Sequence, residues 1–229
     1  SSVKLPYTVI GIALIAFAVL IGMFKLPPMP EARKEAHQKS AGSILRHTHL
    51  LLGMVGIFVY VGAEVSIGSF LINYLSQPNI GNMTEMKAAN FVSLYWLGAM
   101  IGRFIGSALL QKIKTGTLLG IFGLAAALLV CTTMLTTGTV ATWSVILVGF
   151  FNSIMFPSIY TLGIAKLGPL TGDGSGLMIM AIVGGAILPV IQGAIADRIG
   201  IHHAFILPVL CYLYIVYYAF RGSRPVVPA

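Results

Sequence analysis

Seven runs of predominantly apolar residues follow one another along this chain, at 5–24, 50–74, 88–110, 116–135, 141–164, 176–196 and 204–220. About twenty residues of helix cross the ~30 Å hydrocarbon core of a bilayer. In that solvent every backbone N–H and C=O has to be satisfied within the protein, which leaves helices and closed barrels. The runs are too long for barrel strands, so the sequence predicts an all-α membrane protein with seven transmembrane helices. Only 9% of the residues are charged, against about 25% in a soluble domain. A chain this apolar cannot cover a water-facing surface, and its main partner is the lipid bilayer.

The net charge of +8 does not point to nucleic acid, because the basic residues sit in short clusters between apolar runs and build no basic face. They report orientation instead. One connection is long and polar: 27–46 carries Glu31, Arg33, Lys34, Glu35, Lys39 and Arg46, and the prolines at 27, 28 and 30 stop the first helix. With this linker inside, Lys112, Lys114, Lys166, Arg221 and Arg224 also lie inside, and only Lys4, Lys87 and Arg198 lie outside. The linker and C-terminus are therefore expected to be cytoplasmic. The chain then divides into a first helix (1–26), an interdomain linker (27–46) and a six-helix bundle (47–229). Its start at Ser1 and its outside N-terminus raise the expectation of a preceding part.

The six helices after the linker read as two triplets, a pattern expected of nested inverted repeats. Small residues recur every four positions in the middle helix of each: Gly98, Gly102 and Gly106 in one, Ala181, Gly185 and Gly193 in the other, with Pro189 in the gap. Such ladders let helix backbones approach closely.

Polar residues inside the runs are the candidate site. Glu64 lies near the middle of its span. A carboxylate at that depth costs about 2.5 kcal/mol or more and usually faces a bundle interior or an aqueous cavity. It reads as a hydrogen-bond acceptor for substrate or as a coupling-ion site; the alternative is a protonated or paired structural carboxyl. Tyr60 is one turn earlier on the same face, and an aromatic ring beside an acceptor suits a sugar. Asn152, Phe156 and Tyr160 share a face around Pro157, which breaks the helix ladder. Broken helices are tolerated where they line a cavity or find other partners, so Asn152 lines the cavity or makes an interhelical bond. Gln192, a neutral donor and acceptor, suits hydroxyl groups or a bond between helices. Trp96 is too deep for an interface belt and reads, with Tyr95, as cavity wall. Arg103 reads as a snorkelling residue, and Asp197 with Arg198 as an interface anchor.

Chemistry of other kinds has no support. Cys131 and Cys211 lie within apolar runs as small hydrophobes. His47 with His49, and His202 with His203, lack further ligands for a stable metal site. There is no phosphate-binding loop and no nucleophile elbow. Neither an enzyme, a cofactor nor a metal is expected.

Several segments together carry a family resemblance. Residues 60–74 (YVGAEVSIGSFLINY), 102–106 (GRFIG), 156–164 (FPSIYTLGI), 181–189 (AIVGGAILP) and the opening VKLPY at 3–7 resemble, in order and spacing, the fucose–galactose–glucose:proton symporters of the major facilitator superfamily. The likeness covers that family's helices six to twelve. The glutamate at 64 is more similar to the glucose/galactose permeases than to the fucose permease, which has glutamine there and tyrosine in place of Phe156. The resemblance implies two six-helix halves around a central cavity, with this chain supplying the C-terminal half. It implies secondary transport of a hexose by alternating access in a bacterial inner membrane, coupled to H+ or, as in some members, Na+. The acidic residues most firmly tied to proton coupling belong to the other half. Tyr60, Glu64, Trp96, Asn152, Phe156, Tyr160 and Gln192 would line the sugar path, with Glu64 also a candidate for the coupling ion. An N-acetylglucosamine permease, a seven-helix receptor-like protein and a non-transporting half that associates with a partner chain are the alternatives. Against a seven-helix receptor or light-driven protein stand the linker after the first helix and a last span without a lysine for a retinal Schiff base.

Overall fold

The computed structural model describes residues 4–23 and 44–225. The linker read from the sequence falls mostly outside these residues. Ser1–Lys39 and Ser40–Ala229 form separate units. In the first, α1 runs Lys4–Met23 and contains the apolar helical stretch Tyr7–Leu20.

The second unit is a helical bundle with no strand among its described residues. Its helices are α2 (Thr48–Leu75), α3 (Glu85–Leu110), α4 (Thr115–Leu135), α5 (Gly138–Asn152), α6 (Met155–Gly163), α7 (Thr171–Met180), α8 (Gly184–Ile199), α9 (Ile201–Ala204) and α10 (Ile206–Tyr217). The pairs α5–α6, α7–α8 and α9–α10 each act as one span, so among the described residues six helical segments are long and apolar enough to cross a membrane. A 3₁₀ turn at Ala181–Val183 joins α7 to α8, and a π turn at Tyr218–Gly222 ends the last span.

Local chemistry sets the boundaries. Thr84 caps α3, its hydroxyl accepting from the Lys87 amide at 3.4 Å, and Glu85 adds favourable charge in the first turn. Gly200, at φ 85°, turns the chain sharply from α8 into α9, a conformation glycine takes without steric cost.

The elements pack through small residues, as the four-residue ladders predict. A Cβ at Gly102 would meet the Phe150 carbonyl, and one at Gly106 would meet Ile154, so the glycine ladder of α3 is the seam with the end of α5. A Cβ at Gly184 would meet the Phe58 carbonyl, and Gly185 faces Val61 and Val65. That second seam joins α8 to α2. α2 is the hub, touching α3, α6, α8 and α10, and it buries Ile57, Tyr60, Ile67, Leu71 and Tyr74.

Burial is uneven. About half of each apolar window is buried in Thr48–Leu75, Thr115–Leu135, Gly138–Gly163 and Ile201–Gly222, but only 22% in Glu85–Leu110 and 28% in Gly168–Ile199. The two least-covered spans, α3 and α7–α8, both contact α2. The bundle is therefore open on the side where α2 runs between them.

Candidate functional site

Two acceptors and one donor meet at the centre of α2. The Tyr60 hydroxyl lies 2.8 Å from Glu64 Oε1 and 3.0 Å from the backbone carbonyl of Asn152. A phenol carries one proton, so it donates to one of these oxygens at a time. Tyr60 and Glu64 share a helix face because four residues make about one turn. Tyr60 is buried and Glu64 is partly exposed.

The Asn152 carbonyl is free to accept because the helix breaks there. α5 ends at Asn152 and α6 begins at Met155. Pro157 has no N–H to give the carbonyl four residues back, that of Ser153. Arg103 of α3 supplies the missing donor, its Nε donating to Ser153 O at 3.3 Å. Each of two successive carbonyls at the break thus has a side-chain donor from a different helix. The break falls at Ser153–Ile154, one turn ahead of the proline itself.

The Asn152 side chain is a second junction. Its Nδ2 donates to the Tyr95 hydroxyl at 2.8 Å, and its Oδ1 accepts from the Tyr212 hydroxyl at 2.8 Å. Asn152, Tyr95 and Tyr212 are all fully buried. Side chains from α3, α5 and α10 converge on this amide, and the Tyr60 bond to its carbonyl brings in α2.

Aromatic rings lie beside Tyr60 and along α2 past Glu64. Phe156 lies 6.5 Å from the Tyr60 ring and stacks on Tyr160 at 6.4 Å and 9°. Trp96 packs edge-on to Tyr95 at 5.3 Å, is half-exposed, and lies beside Gly68, one turn beyond Glu64. Of the seven residues expected from sequence, Tyr60, Trp96, Asn152, Phe156 and Tyr160 are thus connected by these contacts to α2 on either side of Glu64. Gln192 lies on another neighbour of α2 and shares none of these contacts: it is fully buried on α8, and neither its Nε2 nor its Oε1 has a hydrogen-bond partner among the described residues.

Two participants escape a reading of the sequence. Tyr212 lies in a tyrosine-rich last span, where nothing in the pattern separates it from its neighbours. Arg103 reads as a snorkelling residue, although Pro157 was the signal that some donor had to reach the Ser153 carbonyl. No cluster of His, Cys, Asp or Glu able to hold a metal occurs among the described residues.

Residues 1–182 match the model of the Major Facilitator Superfamily. The chain belongs to that superfamily. It is 48% identical over 223 residues to the glucose/galactose transporter of Brucella abortus biovar 1 (strain 9-941), covering 97% of this chain and 54% of that protein. It is 31% identical over 229 residues to the L-fucose-proton symporter of Escherichia coli K12, covering 97% of this chain and 52% of the symporter. The crystal structure of an E. coli fucose:proton symporter superposes with a TM-score of 0.84 at 31% identity, over 95% of this chain and 54% of that one. This major facilitator chain therefore spans about half the length of the relatives it matches, corresponding to their C-terminal half, and is a multi-pass membrane protein.

Proposed function

We propose that this chain is the C-terminal half of a secondary active transporter for a hexose of the glucose/galactose type, working in a bacterial inner membrane by proton-coupled alternating access. The observation that carries the reading is the Glu64–Tyr60–Asn152 chain at a helix break, bordered by Phe156, Tyr160 and Trp96. A carboxylate accepts hydrogen bonds from several sugar hydroxyls at once, and the rings offer apolar faces to the sugar's C–H surface. The naming of the Brucella relative as a glucose/galactose transporter supports the substrate class, and that of the E. coli relative supports H+ rather than Na+. The charge pattern supports a cytoplasmic linker and C-terminus.

The geometry supplies a way for occupancy to be felt. When sugar hydroxyls take over Glu64 Oε1, the single Tyr60 proton turns to the Asn152 carbonyl. That strengthens the side-chain cap on the broken helix, whose other carbonyl Arg103 holds. Binding at α2 thereby changes the bonding at the hinge between α5 and α6, a local event that biases a two-state element.

Glu64→Gln in the complete transporter, reconstituted in proteoliposomes, tests this. Labelled glucose or galactose uptake driven by a proton gradient should fall at least about ten-fold, since hydrogen bonds to charged groups contribute ~1.5–3 kcal/mol. Unchanged uptake across pH in this variant would remove Glu64 from the mechanism. Replacing Na+ by choline should leave uptake intact, and N-acetylglucosamine should compete poorly.

A further inference from the structure

Gln192 and Ser66, like Ser153, Ser158 and His49, hold buried polar atoms without a partner among the described residues, and Gln192 alone of these leaves a whole amide unpaired. Gln192 and Ser66 are buried, at 0% and 1% exposure, and Ser66 Oγ, Gln192 Nε2 and Gln192 Oε1 all lack a hydrogen-bond partner among the described residues. An unpaired buried polar group is destabilising, and the packing of α2 on α8 places these two at equivalent steps of one seam. Their proximity follows from the register of α2 and α8. Gly184 packs on Phe58, Leu188 on Gly62, and Gly193 on Phe70, so the two helices run in the same direction. The buried stripe of α8 is Gly184, Leu188 and Gln192, four residues apart. One turn beyond the Gly62–Leu188 contact is Ser66 on α2 and Gln192 on α8.

One turn further, the same two faces open. Phe70 and Ala196, four residues after Ser66 and Gln192, line a cleft of ≈ 780 Å³ together with Asn73, Gln77, Glu85 and Asp197. A Cβ at Gly193 would be 3.6 Å from the tip of the Phe70 ring, so Phe70, a lining residue of the cleft, packs on α8 one residue past Gln192.

We propose that Ser66 and Gln192 form a second hydroxyl-binding subsite for a neutral polyhydroxylated solute, reached from this cleft when Phe70 swings off Gly193. The inference rests on the sugar-transport reading above. The chemistry suits a hydroxyl group: it accepts from the amide Nε2 and donates to Oε1 or to Ser66 Oγ. A cation is disfavoured by the amide N–H groups, and a carboxylate by the oxygens. The cleft rim, with Asn73 and Gln77 beside the two carboxylates, also presents hydrogen-bonding groups to a neutral solute. The stability sacrificed by leaving three polar atoms unpaired is then recovered when the solute binds.

The test uses the complete transporter with Gln192→Met, which keeps the side-chain length, and separately with Ser66→Ala. Binding of D-glucose, D-galactose and their monodeoxy analogues is measured by calorimetry, beside thermal unfolding without sugar. Gln192→Met should unfold no earlier than the unmodified protein, because it removes unpaired groups. It should bind the parent sugar about ten-fold more weakly, while one deoxy analogue, lacking the hydroxyl that docks here, binds both proteins equally. Ser66→Ala should show the same pattern with a smaller loss. Unchanged affinity in both variants overturns the subsite alone. Equal loss for every analogue identifies a structural water and also overturns it. Failure of the unmodified transporter to bind either sugar overturns the transport reading, and this subsite with it.

Discussion

Asn152 illustrates how one side chain in an apolar span can join three helices. Its amide serves Tyr95 and Tyr212, and its carbonyl accepts from Tyr60. Replacing it by leucine orphans two buried hydroxyls. Interhelical hydrogen bonds in membranes average only ~0.6 kcal/mol, so the lost bonds alone account for about 1 kcal/mol. The stranded hydroxyls raise the cost to about 2–3 kcal/mol. Equilibrium unfolding of Asn152→Leu should show that loss. Adding Tyr95→Phe and Tyr212→Phe should recover most of it, because apolar partners leave nothing unpaired. An additive further loss from the two tyrosine changes would mean that the amide is not the junction. The polar residue itself was legible in the sequence, as Glu64 was, because lipid makes every such residue conspicuous. Its partners were not. A tyrosine in a span is ordinary, and only packing identifies Tyr95 and Tyr212 as the two whose hydroxyls point at the amide. The burial of Gln192 was likewise illegible, since it depends on which stripe of α8 meets α2.

Among the elements, the break between α5 and α6 separates what composition determines from what contact determines. Pro157 announces that the helix ladder fails, and the structure shows where the freed oxygen goes: Arg103 Nε donates to Ser153 O. Pro157→Ala restores an N–H at the right position for that carbonyl. It should stabilise the fold by about 1 kcal/mol while slowing sugar uptake, because the hinge becomes continuous helix. Arg103→Met should destabilise the unmodified protein and have a smaller effect in the Pro157→Ala background, with a coupling of about 0.5–1 kcal/mol in a double-mutant cycle. Independent, additive effects would show that Arg103 does not serve the break. The helices themselves were readable because each must offer about twenty apolar residues to the bilayer. The ladders at Gly98–Gly102–Gly106 and Gly185–Gly193 were readable as seams because a missing Cβ is an invitation to close approach. Sequence could not say which helix fills each seam, since glycine records the space and not its occupant.

At the scale of the whole molecule, the uneven burial of the bundle has a direction. The spans at Glu85–Leu110 and Gly168–Ile199 bury only 22% and 28% of their apolar windows, and both lie against α2, which carries Glu64. Trp96, Met100 and Phe104 on one and Val183, Ile187 and Val190 on the other are exposed. The proposed sugar site, left open along that side, could not exclude hydrocarbon or hold a hydrated solute. The curated relatives are about twice as long, and a second bundle facing α2, α3 and α8 would convert the open side into a closed cavity wall. Cells expressing this chain alone should therefore take up no labelled glucose or galactose above background. Cells that also express the N-terminal half of the Brucella glucose/galactose transporter, the half this chain does not match, should gain uptake that Glu64→Gln abolishes. A charge placed on the α3 face, as in Met100→Lys, should reduce association of the two halves and uptake together, because a buried unpaired ammonium costs several kcal/mol. Uptake by this chain alone would show that the open side closes by self-association. Uptake with the added half but insensitive to Met100→Lys would place the contact on a different face of the bundle.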